Sequence, residues 1–336
     1  MKELNIAIVG ATGAVGVEIL SCLETRRFPV ASLKLLASAR SNGKQVNFHG
    51  RMYPVEELTE NSFGQIDLAL FSAGSGISRR FAPIAAAAGC VVVDNSSAFR
   101  QDPDVPLVVP EINPEAALSH PRRIIANPNC TTIITLMALY PLHLEFGLKT
   151  IIASSYQAVS GSGQHGIAEL EGQVRALVDG HPIKTSVYPR QIAFNVLPQI
   201  DAFTDNGYTK EELKMLHESR KILGLPALSV TCTCVRVPVY RSHSVSVIAQ
   251  FERPADVLGA RRAYEGKPGV ALMDSPEHGI WPTPLDSTNG DTCYVGRLRK
   301  DIAVDNALNL WVVGDQLRKG AALNAVQIAE LIAHRL

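Results

Sequence analysis

The chain has 336 residues, 46% of them hydrophobic and 19% charged, enough to bury a large core and to make about two domains. Formal net charge is zero and the isoelectric point lies near 7.1, so no broad basic surface points to nucleic acid or to an anionic membrane. Six scattered cysteines without CxxC pairs or His/Cys clusters exclude a disulfide scaffold and a zinc module, and fit a reduced, cytoplasmic setting. The apolar run ending at Gly10 is too short for a signal h-region, and Ile84 to Val93 is too short and glycine-interrupted to span a bilayer.

Asn5 to Val9 is a continuous apolar run of the kind a strand buried on both faces shows, followed at once by Gly10-Ala11-Thr12-Gly13-Ala14-Val15-Gly16 and a helix-like Val17 to Glu24. Such a strand–turn–helix lets the backbone approach a pyrophosphate and presents N–H groups to it. The spacing is G-x-x-G-x-x-G, with the second glycine displaced by one residue from the usual fingerprint. After the next strand, Leu33 to Leu36, comes Ala37-Ser38-Ala39-Arg40-Ser41, where an NAD-specific fold places an acid. No Asp or Glu occurs between Glu24 and Glu56, and serines beside Arg40 suit a 2′-phosphate, so the cofactor expected is NADP. Strands at Leu68 to Phe71 and Val91 to Val93, with a helix from Arg79 to Ala88 between them, complete the alternation of a doubly wound parallel sheet. A polar cluster, Asp94 to Arg100, follows at the carboxyl end of a strand, where ligands bind in such sheets.

Asn127-Pro128-Asn129-Cys130-Thr131-Thr132 is expected to be a loop that delivers one cysteine to the start of a buried helix. Helix N-terminal N–H groups and the dipole would favour a thiolate there and could hold an oxyanion on a bound carbonyl. The alternative is a small buried hydrophobe. Ile151 to Gly163 is a strand entering a second glycine-serine loop. A helix is expected over Lys210 to Leu223, with Thr209 and Glu212 as a capping box and Glu211 and Lys214 on one face, where a solvated ion pair is the plain reading. A strand from Ser229 to Val239 carries Arg236, and His243 follows a bend at Tyr240 to Ser242; the two side chains can converge only if the chain turns between them. Leu310 to Val313 is a last strand and Asp315 to Leu336 a last helix, so the plan is residues 1–130 plus 315–336 around an inserted domain, 131–314.

Together these stretches resemble the bacterial aspartate-β-semialdehyde dehydrogenases along the whole chain. The matching segments are GATGAVG, ASARS, NSSAFR with VPLVVPEIN, NPNCTT, YQAVSGSG, EELKM, CVRVPV followed by SHS, and LRKGAALN. The resemblance implies an α/β protein with a doubly wound, Rossmann-type NADP-binding domain and an α+β catalytic and dimerisation domain with a mixed sheet. It implies NADPH-dependent reductive dephosphorylation of aspartyl-4-phosphate to aspartate-4-semialdehyde, in lysine, threonine, methionine and diaminopimelate biosynthesis, by a homodimer. Position by position it implies Cys130 as nucleophile, His243 as acid/base, Gln157 orienting the substrate, Arg236 on its α-carboxylate and Glu211 on its amino group. Arg100, Asn129 and Lys214 would hold phosphate. Gly10, Thr12, Gly13, Ala14, Val15, Ser38, Arg40, Ser41, Ser160, Gly161 and Gln316 would contact NADP, and no metal is expected.

Two departures stand near the expected site: Arg241-Ser242 precedes the histidine where the family usually has glycine next to it, and residue 316 is Gln where many relatives have Asn. Rival readings are an N-acetyl-γ-glutamyl-phosphate reductase, against which Glu211 argues as an acceptor for a free amine, and a non-catalytic paralogue, against which Cys130, Gln157, Arg236 and His243 argue together.

Overall fold

The computed structural model describes residues 2–336. It divides into two compact units: one runs to Asn129 and resumes over Ala321–Leu336, and the other is Cys130–Gly320.

The first unit begins with β1 (Leu4–Val9), α1 (Ala14–Thr25), β2 (Val30–Ala37), β3 (Gln45–Phe48) and β4 (Arg51–Glu57), and continues with β5 (Leu68–Phe71), α2 (Ser75–Ala87), β6 (Val91–Asp94) and β7 (Ile124–Ala126). Its sheet has the order β3-β4-β2-β1-β5-β6-β7. All neighbours are parallel except the β3–β4 hairpin. The apolar runs β5, β6 and β7 are buried throughout, as strands covered on both faces must be. The order reverses at β1, whose neighbours are β2 and β5, the position beyond whose carboxyl ends sheets of this kind bind ligands.

The second unit contains α3 (Cys130–Phe146), β8 (Leu148–Gln157), α4 (Gly163–Val178), α5 (Lys210–Leu223), β9 (Ser229–Arg236), β10 (His243–Phe251) and α6 (Val257–Ala263), then β11 (Val270–Leu272), α7 (Pro284–Ser287), β12 (Cys293–Lys300) and β13 (Ala307–Gly314). Its mixed sheet runs β11-β12-β13-β10-β8-β9. β9 stops at Arg236, short of Val239, because Pro238 has no N–H to give the ladder and Val237 and Val239 turn back on each other. One sheet face is covered by α3, which is apolar on nearly every side and buried along most of its length. On the other face Ile152 and Tyr156 of β8, Ile248 of β10 and Trp311 of β13 stay partly exposed, with Tyr156 and Trp311 in ring contact at 5.3 Å.

The final helix, α8 (Leu323–Ala333), starts later than the sequence pattern suggests, behind a π turn at Arg318–Ala322. The Asp315 carboxylate accepts the Leu317 and Arg318 N–H groups and so acts as a cap, which keeps residues 315–317 out of the helix. α8 packs on α1 in the core of the first unit.

The turn after β1 leaves no room for a side chain at its first and last glycines. Gly10 has φ +88°, and a Cβ there would come within 2.8 Å of the Ser72 carbonyl oxygen. A Cβ on Gly16 would overlap the Gly10 carbonyl oxygen. Gly16→Ala should therefore lower stability by about 1–3 kcal/mol, read as a lower urea midpoint by circular dichroism; an unchanged midpoint would show that the helix does not press on the turn.

Candidate active site

Cys130 is the first residue of α3, as the loop-to-helix reading requires, and the only one of the six cysteines that is not buried. The dipole of that helix end favours its thiolate. Behind it lies Gly320, where a Cβ would come within 2.9 Å of Cys130 Cβ.

Three neighbouring strands bring the other expected residues to one end of the sheet. β8 ends at Gln157, β9 runs parallel to it and pairs Arg236 with Gln157, and β10 begins at His243 on the other side of β8. The turn between β9 and β10 solves the parity problem of Arg236 and His243. Both reach Gly161, where a Cβ would lie 2.7 Å from Arg236 Nη1 and 3.3 Å from His243 Cε1. Arg236 Nη1 donates to the Ala158 carbonyl at 2.7 Å, while its buried Nε and the buried His243 Nε2 have no hydrogen-bond partner among the described residues.

His243 is fully buried, and the Ala158 N–H donates to its Nδ1 at 3.1 Å. A backbone N–H can only donate, so Nδ1 is the bare nitrogen and Nε2 carries the hydrogen. Burial, then the Arg236 guanidinium, push the imidazole pKa down to about 3, so the ring is neutral near pH 7.

Gln157 Nε2 donates to Ser155 Oγ at 3.2 Å and to Glu211 Oε1 at 3.3 Å. Thr209 and Glu212 form the expected capping box, and Glu212 also accepts the Cys234 N–H at 2.9 Å, which ties the start of α5 to β9 and sets Glu211 in place. Lys214 Nζ lies 2.8 Å from Glu211 Oε2 and 3.1 Å from Asp201 Oδ2. With side-chain exposures of 8% for Glu211 and 23% for Lys214, this is not a solvated surface pair. Burial opposes the charged lysine, but Glu211 and then Asp201 outweigh it and hold its pKa above the ordinary range. A cavity of about 230 Å³ borders Arg236, with Ser162, Tyr188, Gln199 and Asp201 in its walls.

The expected cofactor residues fall in both units. In the first, Gly13 precedes α1 without a side-chain cap and the first turn of the helix carries no acid, so its leading N–H groups are available to a diphosphate. Thr12 Oγ1 meets Ser41 Oγ at 3.4 Å, which joins the glycine turn to the Ser38–Arg40–Ser41 segment, and Arg40 is exposed. Arg100 and Asn129, both buried, also belong to the first unit; Arg100 donates to the Asn127 and Asn95 carbonyls at 2.9 and 2.7 Å. In the second unit, the Gln316 amide donates to Ser160 Oγ and its oxygen accepts the Ser242 N–H at 2.8 Å. These donors and the side-chain-free surface at Gly161 fit a nicotinamide cofactor. No group of three His, Cys, Asp or Glu suited to a metal occurs among the described residues.

Sequence reasoning missed Asp201, Ser155 and Asp315. Asp201 and Asp315 act through bonds to distant segments, to Lys214 and Arg241, which no local spacing marks, whereas Ser155 lies two residues before Gln157 on one face of β8, a position the strand alternation does mark.

The His243 ring predicts a pH dependence. An unfolded imidazole titrates near 6.5 and the folded one near 3, so between those values the unfolded chain binds the extra proton. The stability is fully present above about pH 6.5 and is lost as pH falls, by up to about 1.4 kcal/mol per unit. Urea midpoints of His243→Gln should fall less steeply than the wild type between pH 6.5 and 4, and parallel profiles would show that the ring is not held neutral.

Residues 5–120 match the model of the semialdehyde dehydrogenase NAD-binding domain, and residues 139–319 that of the semialdehyde dehydrogenase dimerisation domain. The aspartate-semialdehyde dehydrogenase of Aquifex aeolicus is 50% identical over 98% of this chain and 97% of its own, and that of Bacillus subtilis 47% identical over 98% and 97%. The Vibrio cholerae aspartate semialdehyde dehydrogenase II solved with ASA superposes with a TM-score of 0.97 at 48% identity, covering 99% of each chain. At 24% identity, the Candida albicans enzyme solved with NADP shares the fold, with a TM-score of 0.78 over 99% of each chain. On this identity and coverage, the chain belongs to the aspartate-semialdehyde dehydrogenase family, nicotinamide-dependent oxidoreductases of amino-acid biosynthesis.

Proposed function

We propose that the chain reduces aspartyl-4-phosphate to aspartate-4-semialdehyde with NADPH, reversibly, through a thioester on Cys130. The observation that carries this reading is the convergence of Arg236 and His243 on Gly161, with two buried nitrogens, Arg236 Nε and His243 Nε2, lacking a protein partner. Buried donors of this kind call for a ligand with acceptor atoms.

Each residue type matches a demand of the reaction. The Cys130 thiolate attacks the acyl carbon and phosphate leaves, so a carboxylate-level carbon becomes a reducible thioester. NADPH supplies the hydride when bound. His243 acts in proton transfer through Nε2, whose hydrogen faces the oxygen that gains charge, and collapse of the resulting oxyanion frees the aldehyde and restores the thiolate. Bound carboxylate and phosphate bring negative charge beside the ring and offset the effect of Arg236, which favours protonation during turnover.

Arg236 offers a planar guanidinium to the α-carboxylate, and Glu211 an acceptor to the free amine, which disfavours an N-acetylated substrate. Gln157 orients the substrate at the reacting carbon. Arg100, Asn129 and Lys214 hold phosphate. Gly10, Thr12, Gly13, Ala14, Val15, Ser38, Arg40 and Ser41 hold NADP, the serines and Arg40 at its 2′-phosphate, with Ser160, Gly161 and Gln316 at the nicotinamide. The expected boundaries at 130/131 and 314/315 shift to Asn129/Cys130 and Gly320/Ala321, since Cys130 and residues 315–320 group with the second unit; on this reading the first unit serves the cofactor and the second serves catalysis and dimerisation.

The partly exposed sheet face of Ile152, Tyr156, Ile248 and Trp311 supports a homodimer, since a two-layer unit leaves such a face to be covered. No helix of the described residues is long and apolar enough to cross a membrane, and the setting we assign is the cytoplasm, in lysine, threonine, methionine and diaminopimelate synthesis.

The test is NADP reduction by the purified protein with aspartate-4-semialdehyde, with and without phosphate, beside Cys130→Ala and Arg236→Lys. Turnover should require phosphate and vanish in Cys130→Ala, and Arg236→Lys should raise KM for the aldehyde about 10-fold or more through the lost bidentate contact. Turnover without phosphate, or in Cys130→Ala, would refute the thioester route.

A further inference from the structure

We infer that Arg241 is a positioning residue for the dehydrogenase reaction. Its ion pair with Asp315 fixes the turn that presents His243 against the turn that backs Cys130. The inference rests on the reading of Cys130 and His243 as the reacting pair.

The β10–β13 ladder ends with His243 opposite Gly314. Beyond it, side chains take over the cross-strand bonding. Arg241 Nε donates to Asp315 Oδ2 at 2.6 Å, and the Ser242 N–H donates to Gln316 Oε1 at 2.8 Å. Ser242 has φ +73°, a conformation that residues with a side chain rarely adopt, so the turn leading into His243 must be held by its surroundings. Its hydroxyl meets Thr288 Oγ1 at 3.0 Å, which leaves Arg241 as the charged tether of this turn.

Asp315 is the hub on the other side. Its fully buried carboxylate also accepts the Asn289 N–H at 2.7 Å through Oδ2, and the Leu317 and Arg318 N–H groups at 2.9 and 3.2 Å through Oδ1. Its backbone carbonyl accepts the Gly320 N–H at 3.0 Å, and Gly320 packs directly on Cys130. One carboxylate thus holds the turn behind the cysteine, and one guanidinium joins it to the turn before the histidine. Cys130 and His243 start different elements, α3 and β10, and this bridge spans from one to the other. Three neutral donors would remain on Asp315 without Arg241, so stability and positioning can be separated by neutralising the carboxylate as well.

The experiment compares Arg241→Met, Arg241→Lys and the double variant Arg241→Met/Asp315→Asn with the wild type, measuring thermal midpoint, kcat and KM in the phosphate-dependent assay. Arg241→Met should lower kcat about 10- to 100-fold with KM for the aldehyde little changed, the pattern of misplaced reacting groups. Arg241→Lys should recover part of kcat. The double variant should regain part of the thermal stability, since the remaining amide oxygen can keep the Leu317 and Arg318 N–H groups but the amide nitrogen cannot accept that of Asn289, while kcat stays low. A wild-type kcat in Arg241→Met, or recovery of kcat with stability in the double variant, would overturn the inference, because the loss would then trace to an uncompensated buried charge. Residual turnover in Cys130→Ala would instead remove the reading beneath it, so the two failures are distinct.

Discussion

The closeness of the Arg236 guanidinium and the His243 imidazole, both set against the side-chain-free Gly161, governs the rest of this site. Two groups that could both be positive are buried within reach of one point, and one of them must give up its charge. The histidine does, through burial reinforced by the arginine, and its tautomer is then set by the Ala158 N–H. What remains is a cation beside a neutral donor, a pair that has no use for another cation and every use for an anionic, carbonyl-bearing ligand. Any side chain at position 161 would fill the space where the two meet.

That closeness is a product of sheet geometry. β8 is flanked by a parallel neighbour that ends level with it and an antiparallel neighbour that starts there, so Gln157, Arg236 and His243 lie along one sheet end although they are far apart in sequence. Alternation along β8 divides its duties: Ser155 and Gln157 face the buried side and the Glu211 carboxylate, while Ile152, Ser154 and Tyr156 face outward. A register slip of one residue would exchange the two sets and lose both the polar site and the apolar outer face.

Much of this arrangement is legible in the sequence. The first sheet announced itself through short apolar runs and a glycine turn, because strands buried on both faces need continuous hydrophobicity. Cys130 was legible from the proline and asparagines before it, and α5 from its capping box, since both signals are local. The convergence of Arg236 with His243 was visible only as a condition: residues seven apart cannot meet without a turn, and the sequence showed a bend without its direction. The sequence pattern reads Asp315 as the start of a helix, whereas the structure makes it a cap ahead of Arg318–Ala322 and α8. Its carboxylate binds N–H groups two and three residues on and a guanidinium 74 positions away, and long-range pairing of that kind has no periodicity to read. Asp201 was silent for the same reason.

The distribution of sulfur has a further consequence. Five thiols lie in the core, where burial pushes Cys90 up to about 11, and where the neighbouring Cys232 sulfur together with burial raises Cys234 well above the ordinary thiol range. Such thiols are poor targets for peroxide or for soft electrophiles, because the reactive form is the anion. Cys130 alone combines access with a helix end that favours the anion. Cysteine oxidation in this protein is therefore concentrated on one thiol per chain, and reaches it without unfolding the core. A population under stress would divide into reduced and oxidised molecules of the same fold, and on the proposed thioester route a reductant able to reverse the first oxidation of that single sulfur would restore the oxidised ones.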